Sequence, residues 1–348
     1  MKYCLKESKE QELVNCSFVK SILLLLIILY HSIVFWNSDW FTENPIFHSN
    51  FLAVFSQWLN SFHIYTFTLI SGYIFYYIKY EKGNYESFVS FFVNKTKRLL
   101  VPYLFTAIIW VIPIQMYYFK YDIYTVINKY CFATAPNQLW FLVMLFDVFI
   151  IFFSLSSFLK LYNLTGCIII ACLYAIGIVG DHFFQNFFMI WTACQHITFF
   201  WIGFKIRQYG SRIIFRIPAF IYIFIDMILF SIVQFILSLH SDRMLYKVLL
   251  YGLNLLLHIV GSLMAFYILQ IIAHFFKRAR IMLYIEKISM PMYLFHQQII
   301  YFPIYLLNGV VHPYVNAIIN FIFSISITLL ISSILIRYKV TRTLIGEK

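Results

Sequence analysis

Charge is what this sequence has least of. Asp, Glu, Lys and Arg make up 11% of its 348 residues, where a soluble globular domain carries about 25%. That scarcity excludes a soluble enzyme, and 62% apolar residues exclude a disordered chain. Cysteine is sparse as well: the six are Cys4, Cys16, Cys131, Cys167, Cys172 and Cys194. None stands in a C-x-x-C and no Cys/His cluster has zinc spacing, so neither a disulfide scaffold nor a metal is expected. A mean hydropathy of +0.81 describes a polytopic membrane protein.

Apolar runs predict an all-α bundle of about ten transmembrane helices, at 18–36, 58–78, 99–119, 138–159, 164–180, 189–204, 217–239, 248–273, 288–307 and 314–336. The fifth and sixth are short. No small-residue cleavage site follows Phe18–Trp36, so the first run reads as a retained helix and not a signal peptide. No soluble domain fits between the runs. The expected organisation is a cytoplasmic segment 1–17, a membrane domain 18–336 and a cytoplasmic tail 337–348.

Lys and Arg fall on alternating sides of these spans very unequally. With the N-terminus inside, 22 of the 26 lie on the inner side. They are Lys2, Lys6, Lys9 and Lys20; Lys79, Lys82, Lys95, Lys97 and Arg98; Lys160; Lys205, Arg207, Arg212 and Arg216; Lys277, Arg278, Arg280 and Lys287; and Arg337, Lys339, Arg342 and Lys348. Only Lys120, Lys129, Arg243 and Lys247 remain outside. This bias predicts that both termini are cytoplasmic. It also accounts for the net charge of +12 without a nucleic-acid partner; membrane lipids are the expected surroundings.

Ionisable side chains cost roughly 2.5–3.5 kcal/mol for Asp or Lys at a membrane helix centre. The spans nevertheless contain Lys20, His31, His63, Asp147, His196, Asp226, His258 and His296. They call for a polar interior, as in a transporter or a membrane enzyme. Lys20 and His31 are 11 residues apart, about three turns, so they share a face about 16 Å apart along the axis. A cation at the cytoplasmic rim and an imidazole at depth suit a long anionic ligand. The plain alternative is that Lys20 snorkels and His31 bonds a neighbouring helix; spacing alone does not choose.

Other segments carry their own alternatives. Ser71-Gly72 allows close backbone approach, and Ser71 can also line a cavity. Asn94-Lys95-Thr96-Lys97-Arg98 is a phosphate-binding cluster or, more plainly, a positive-inside anchor, and Pro102 suits the first turn of the helix after it. Trp140 fits an aromatic belt, while Asp147 shares its face and is harder to dismiss. The stretch Ser289-Met290-Pro291-Met292-Tyr293-Leu294-Phe295-His296-Gln297-Gln298 is unusually polar. Its His296 is catalytic, substrate-binding or a helix tie, in no order. His63 lies near the outer end and reads as a buried, satisfied histidine; His196, Asp226 and His258 have no motif around them and read as structural.

In this order the segments resemble the type-3 acyltransferase family, integral membrane enzymes that O-acetylate bacterial polysaccharides. The family's basic residue, ten intervening residues and histidine look like Lys20 to His31, with Lys where Arg is usual. Its F-x-x-x-S-G-[FY] looks like Phe67 to Tyr73, and its K-R-L-L-x-P-Y looks like Lys97 to Tyr103. Its L-W-F-L looks like Leu139 to Leu142, and its S-x-x-x-Y-L-x-H looks like Ser289 to His296. The stretch His63 to Phe75 is most similar to the fucose or glycan 4-O-acetyltransferase-like branch.

The resemblance implies acetyl-CoA as donor, a glycan or lipid-linked sugar hydroxyl as acceptor, no metal, and the bacterial cytoplasmic membrane as location. Lys20, Lys97 and Arg98 would hold the donor's phosphates, the lysine lacking arginine's planar fork. His31 would act as general base, and Asp147 would orient it. Ser71 would serve the oxyanion or, ranked lower, become acylated. A transporter or polymerase of a lipid-linked glycan is the competing reading. The absence of Gly/Pro-broken spans in corresponding halves favours the enzyme over the transporter, and the short outer loops disfavour a polymerase.

Overall fold

The computed structural model describes residues 2–37, 40–85, 87–210, 214, 216–241, 243–276 and 280–347, with the backbone alone for 2–14, 274 and 280–283. Arg212, Lys277, Arg278 and Lys348, and the side chains of Lys2, Cys4, Lys6, Lys9 and Arg280, lie outside the described residues. The fold is all-α, with no strand among the described residues. Among the described residues eight helices are long and apolar enough to cross a membrane: Asn15–Asn37, Phe88–Phe119, Asn137–Leu161, Asn163–Phe183, Phe187–Tyr209, Ala219–Ser238, Met244–Ala273 and Pro313–Leu335.

The other two expected spans are helical but differ in kind. The run 58–78 is divided by a turn at Ser61–Phe62 into the helices Asn50–Asn60 and His63–Tyr76. Ser61 closes the first, its N–H donating to the Gln57 carbonyl at 3.1 Å. The helix Ser289–Leu307 follows its expected limits, yet His296, Gln297 and Gln298 make it polar, and it is buried without a break from Pro291 to Tyr301.

The expected span 99–119 begins earlier, at Phe88. The Lys-Thr-Lys-Arg cluster is therefore helical, and Pro102 lies within the helix. Hydropathy hides this start because the charges mask the apolar face. Pro102 and Pro113 each follow a π-turn, Thr96–Leu100 and Ala107–Val111. A proline lacks an N–H and crowds the carbonyl four residues back; the wider turn absorbs the mismatch without ending the helix.

Two glycines set the tightest helix contact. A Cβ on Gly72 would lie 1.9 Å from the Phe200 carbonyl oxygen, and one on Gly203 1.8 Å from that of Leu69. The helices His63–Tyr76 and Ile190–Tyr209 thus touch backbone to backbone. At their basic end Arg207 fixes the pair. Its Nε and Nη2 donate to Glu81 at 2.8 and 2.9 Å, and its Nη1 donates to the Tyr73 hydroxyl at 2.9 Å.

The helix Pro313–Leu335 shows the inside-out pattern of a membrane bundle. Asn316, Asn320, Ser324, Thr328 and Ser332 recur every fourth residue and are all buried. Ile318, Ile322 and Leu330 are exposed, as lipid contact requires. Two members of the stripe find backbone partners on neighbouring helices, Asn320 on the first helix and Ser324 on Ser289–Leu307.

Candidate functional site

A cavity of about 250 Å³ opens at the basic end of the bundle. From the first helix it takes Lys20, Leu24 and Ile27, successive positions on one helical face. The continuation of that stripe is His31. The His63–Tyr76 helix contributes Phe67 and Ser71; the Phe88–Phe119 helix contributes Lys95, Arg98 and Leu99. Phe141, Leu142, Leu145 and Phe149 form the apolar wall, and Tyr293 lines it from the Ser289–Leu307 helix.

Three cations share this cavity. The Lys20 ammonium lies 5.6 Å from the Phe67 ring centre. That of Lys95 sits 3.4 Å over Phe149, with Tyr85 and Phe91 each 5.5 Å away. Aromatic faces stabilise such charges in place of water. Arg98 stands at the rim, its side chain exposed. Like charges held together repel, and a multiply charged anion relieves that repulsion.

Lys97 does not join them. It is exposed and lies outside the cavity wall. Once the segment is helical, residues three apart share a face, so Lys95 accompanies Arg98 and Lys97 turns away. Ser71 lines the cavity with its hydroxyl donated to the Phe67 carbonyl at 2.9 Å. In this rotamer it offers lone pairs, not a proton, so service to an oxyanion needs a rotation.

Two sequence-distant histidines meet beyond the cavity. The rings of His31 and His296 lie 5.0 Å apart at 50°. Tyr293 joins cavity to pair, its ring centre 5.9 Å from that of His296. His296 Nδ1 lies 2.7 Å from the Tyr293 carbonyl. A carbonyl only accepts, so Nδ1 carries the proton and the neutral ring keeps its lone pair on Nε2. That Nε2 and His31 Nδ1 are buried without a hydrogen-bond partner. Trp40 closes the side, its ring centre 5.9 Å from His31 and 5.3 Å from Tyr301.

The polar stripe of the Pro313–Leu335 helix positions both histidines. Asn320 Nδ2 donates to the Ser32 carbonyl at 3.2 Å, beside His31, and Ser324 Oγ donates to the His296 carbonyl at 3.1 Å. On the opposite side, Gln138 and Gln298 exchange hydrogen bonds of 2.6 and 2.9 Å, and the Tyr293 hydroxyl donates to the Gln138 carbonyl. Sequence reading overlooked Lys95 as a cavity residue, and Asn320 and Ser324 altogether. The signals were the K-x-x-R spacing and the four-residue recurrence of small polar groups.

Asp147 stands apart. Its Oδ2 is buried without a hydrogen-bond partner, and it lies within electrostatic range of Cys194. It shares the Trp140 face, which meets the His196 ring at 5.7 Å. Among the described residues it has no hydrogen bond or ion pair to His31, so an orienting role there lacks a contact. The remaining ionisable groups have structural partners. His63 Nδ1 meets the Leu59 carbonyl at 2.5 Å, and His258 Nδ1 meets that of Ser61 at 2.8 Å. His196 contacts Thr68 Oγ1 at 3.4 Å, and Asp226 accepts from Trp58 Nε1 at 2.9 Å.

Neither the curated proteins nor the solved structures compared with this chain provide a match. A family model described as an acyltransferase domain matches residues 16–337. That span holds Lys20, the basic helix and both facing histidines, and by it the chain belongs to the type-3 acyltransferase family.

Proposed function

We propose that this membrane acyltransferase is an O-acetyltransferase, moving acetyl from acetyl-CoA to a hydroxyl of a bacterial surface polysaccharide or its lipid-linked precursor. The observation that supports the reading is the cation-lined cavity that ends at Tyr293, with the facing rings of His296 and His31 packed behind that residue. Its chemistry suits the donor. Lys20, Lys95 and Arg98 meet phosphates, and Leu24, Ile27, Phe141 and Leu142 meet a thin arm. About 250 Å³ is below the roughly 300–1,000 Å³ of sites that enclose a drug-sized ligand. The cavity therefore suits the arm, with the nucleotide outside its mouth.

The reaction then follows from the paired imidazoles. A lone pair on one of them, His296 Nε2 as drawn by its Tyr293 bond, takes the acceptor's hydroxyl proton. The oxygen attacks the thioester carbonyl, the C–O bond forms and the C–S bond breaks. The thiol leaves with the proton returned by the imidazolium. The second ring, 5.0 Å away, holds the acceptor or relays the proton. The expected topology puts the cations on the cytoplasmic side and the histidines toward the outer side. The likeness of His63 to Phe75 suggests the fucose or glycan 4-O-acetyltransferase-like branch.

The test compares surface glycans of cells making the wild-type protein or His31→Ala at equal membrane levels, by mass spectrometry. Loss of an acetyl-sized ester in the mutant supports the reading and identifies the sugar. Identical ester content, with altered export or chain length on deletion, restores the transporter or polymerase reading.

A further inference from the structure

The terminal helix Lys339–Leu344 is followed by Ile345, Gly346 and Glu347. The Glu347 N–H donates to the Arg342 carbonyl at 3.0 Å and that of Gly346 to the Thr343 carbonyl at 3.1 Å. With Gly346 at φ +77°, this is the paired 6→1 and 5→2 cap that closes a helix on a left-handed residue. The turn directs the chain back onto the bundle. Ile345 is fully buried in the main core cluster. Gly346 presses on the basic helix: a Cβ there would lie 2.8 Å from Pro102 Cγ and 3.0 Å from the Arg98 carbonyl oxygen. Both the conformation and the space demand glycine.

The cap delivers Glu347 into the cavity wall that also contains Lys20, Lys95 and Arg98, and it is the single acid there among the described residues. Burial pushes its carboxyl up from the usual range, and the Arg98 charge works against that shift. The segment has no need of a carboxylate for packing, because Ile345 anchors it.

We propose that Glu347 is a tethered counter-anion of the cation cluster, a specificity-determining residue that an incoming anionic donor must displace. The proposal rests on the reading of the cavity as the donor site. A single negative charge gains little by exchanging with the carboxylate. A ligand with several phosphate charges satisfies all three cations and still leaves Glu347 free to turn to water. The tail thus biases the site toward multiply charged donors and screens the cations when no donor is bound.

The test titrates the full-length protein in lipid nanodiscs with coenzyme A by calorimetry, at low and high salt. Glu347→Gln is expected to tighten binding about three- to tenfold at low salt, the gain shrinking as ions screen the site. Gly346→Ala, which crowds the basic helix and strains the cap, is expected to move affinity in the same direction. Arg98→Ala is the control for the donor site. If it weakens binding while Glu347→Gln stays at or below the wild-type affinity, the counter-anion role is overturned and the donor reading stands. If Arg98→Ala binds as the wild type does, the donor reading falls and the proposal falls with it.

Discussion

His31 and His296, 265 positions apart in the chain, face each other with ring centres 5.0 Å apart. Each has one buried ring nitrogen without a hydrogen-bond partner. Leaving such groups unpaired costs roughly 1–3 kcal/mol each. Under the proposed mechanism those two nitrogens are the ones that meet the acceptor hydroxyl and pass its proton.

His31→Ala and His296→Ala are each expected to lower the transfer rate by about 10²–10⁴-fold. If the rings act as one unit, the double variant is scarcely worse than either single one. The check is acetyl transfer in membranes with matched protein levels. A wild-type rate from His296→Ala reduces that residue to a helix tie.

Among the basic residues, the effects should separate by helix face. Lys95→Ala and Arg98→Ala are each expected to raise the KM for the acyl donor about tenfold, as the loss of a charge-assisted hydrogen bond implies. Lys97→Ala, one residue from Arg98 but exposed, should leave KM unchanged. Equal effects at all three positions would mean a diffuse electrostatic role.

Asn320→Leu keeps the helix compatible with lipid but removes the bond to the Ser32 carbonyl. The expected result is a kcat lower by about tenfold with donor KM unchanged, because the first helix loses the tie that orients His31. A shift in KM alone would place Asn320 in donor binding instead.

Gly72→Leu and Gly203→Leu should both unfold at lower temperature in detergent. The Cβ position meets a carbonyl oxygen at under 2 Å in each, and overpacking of this kind costs about 1–3 kcal/mol or more. Thermal unfolding followed by size-exclusion chromatography checks it. Gly252, with nothing within 4 Å of its Cβ position, should tolerate Gly252→Leu without such a loss.

Membrane character and helical class were legible in the sequence because burial in lipid selects composition directly: 62% apolar and 11% charged residues admit little else. Register was legible too. The 11-residue spacing of Lys20 and His31 follows from helix pitch alone. Hydropathy failed where charge interrupts a helix, so Lys95 fell in the gap before the span 99–119 and Lys97, not Lys95, was placed beside Arg98 as a donor-binding residue. Tertiary structure decided the rest, since contact between distant helices leaves no local period. It set His296 against His31, moved Asp147 to the Cys194 side, gave Asn320 and Ser324 their partners, and folded Glu347 into a cavity whose cations Lys20, Lys95 and Arg98 lie far earlier in the chain.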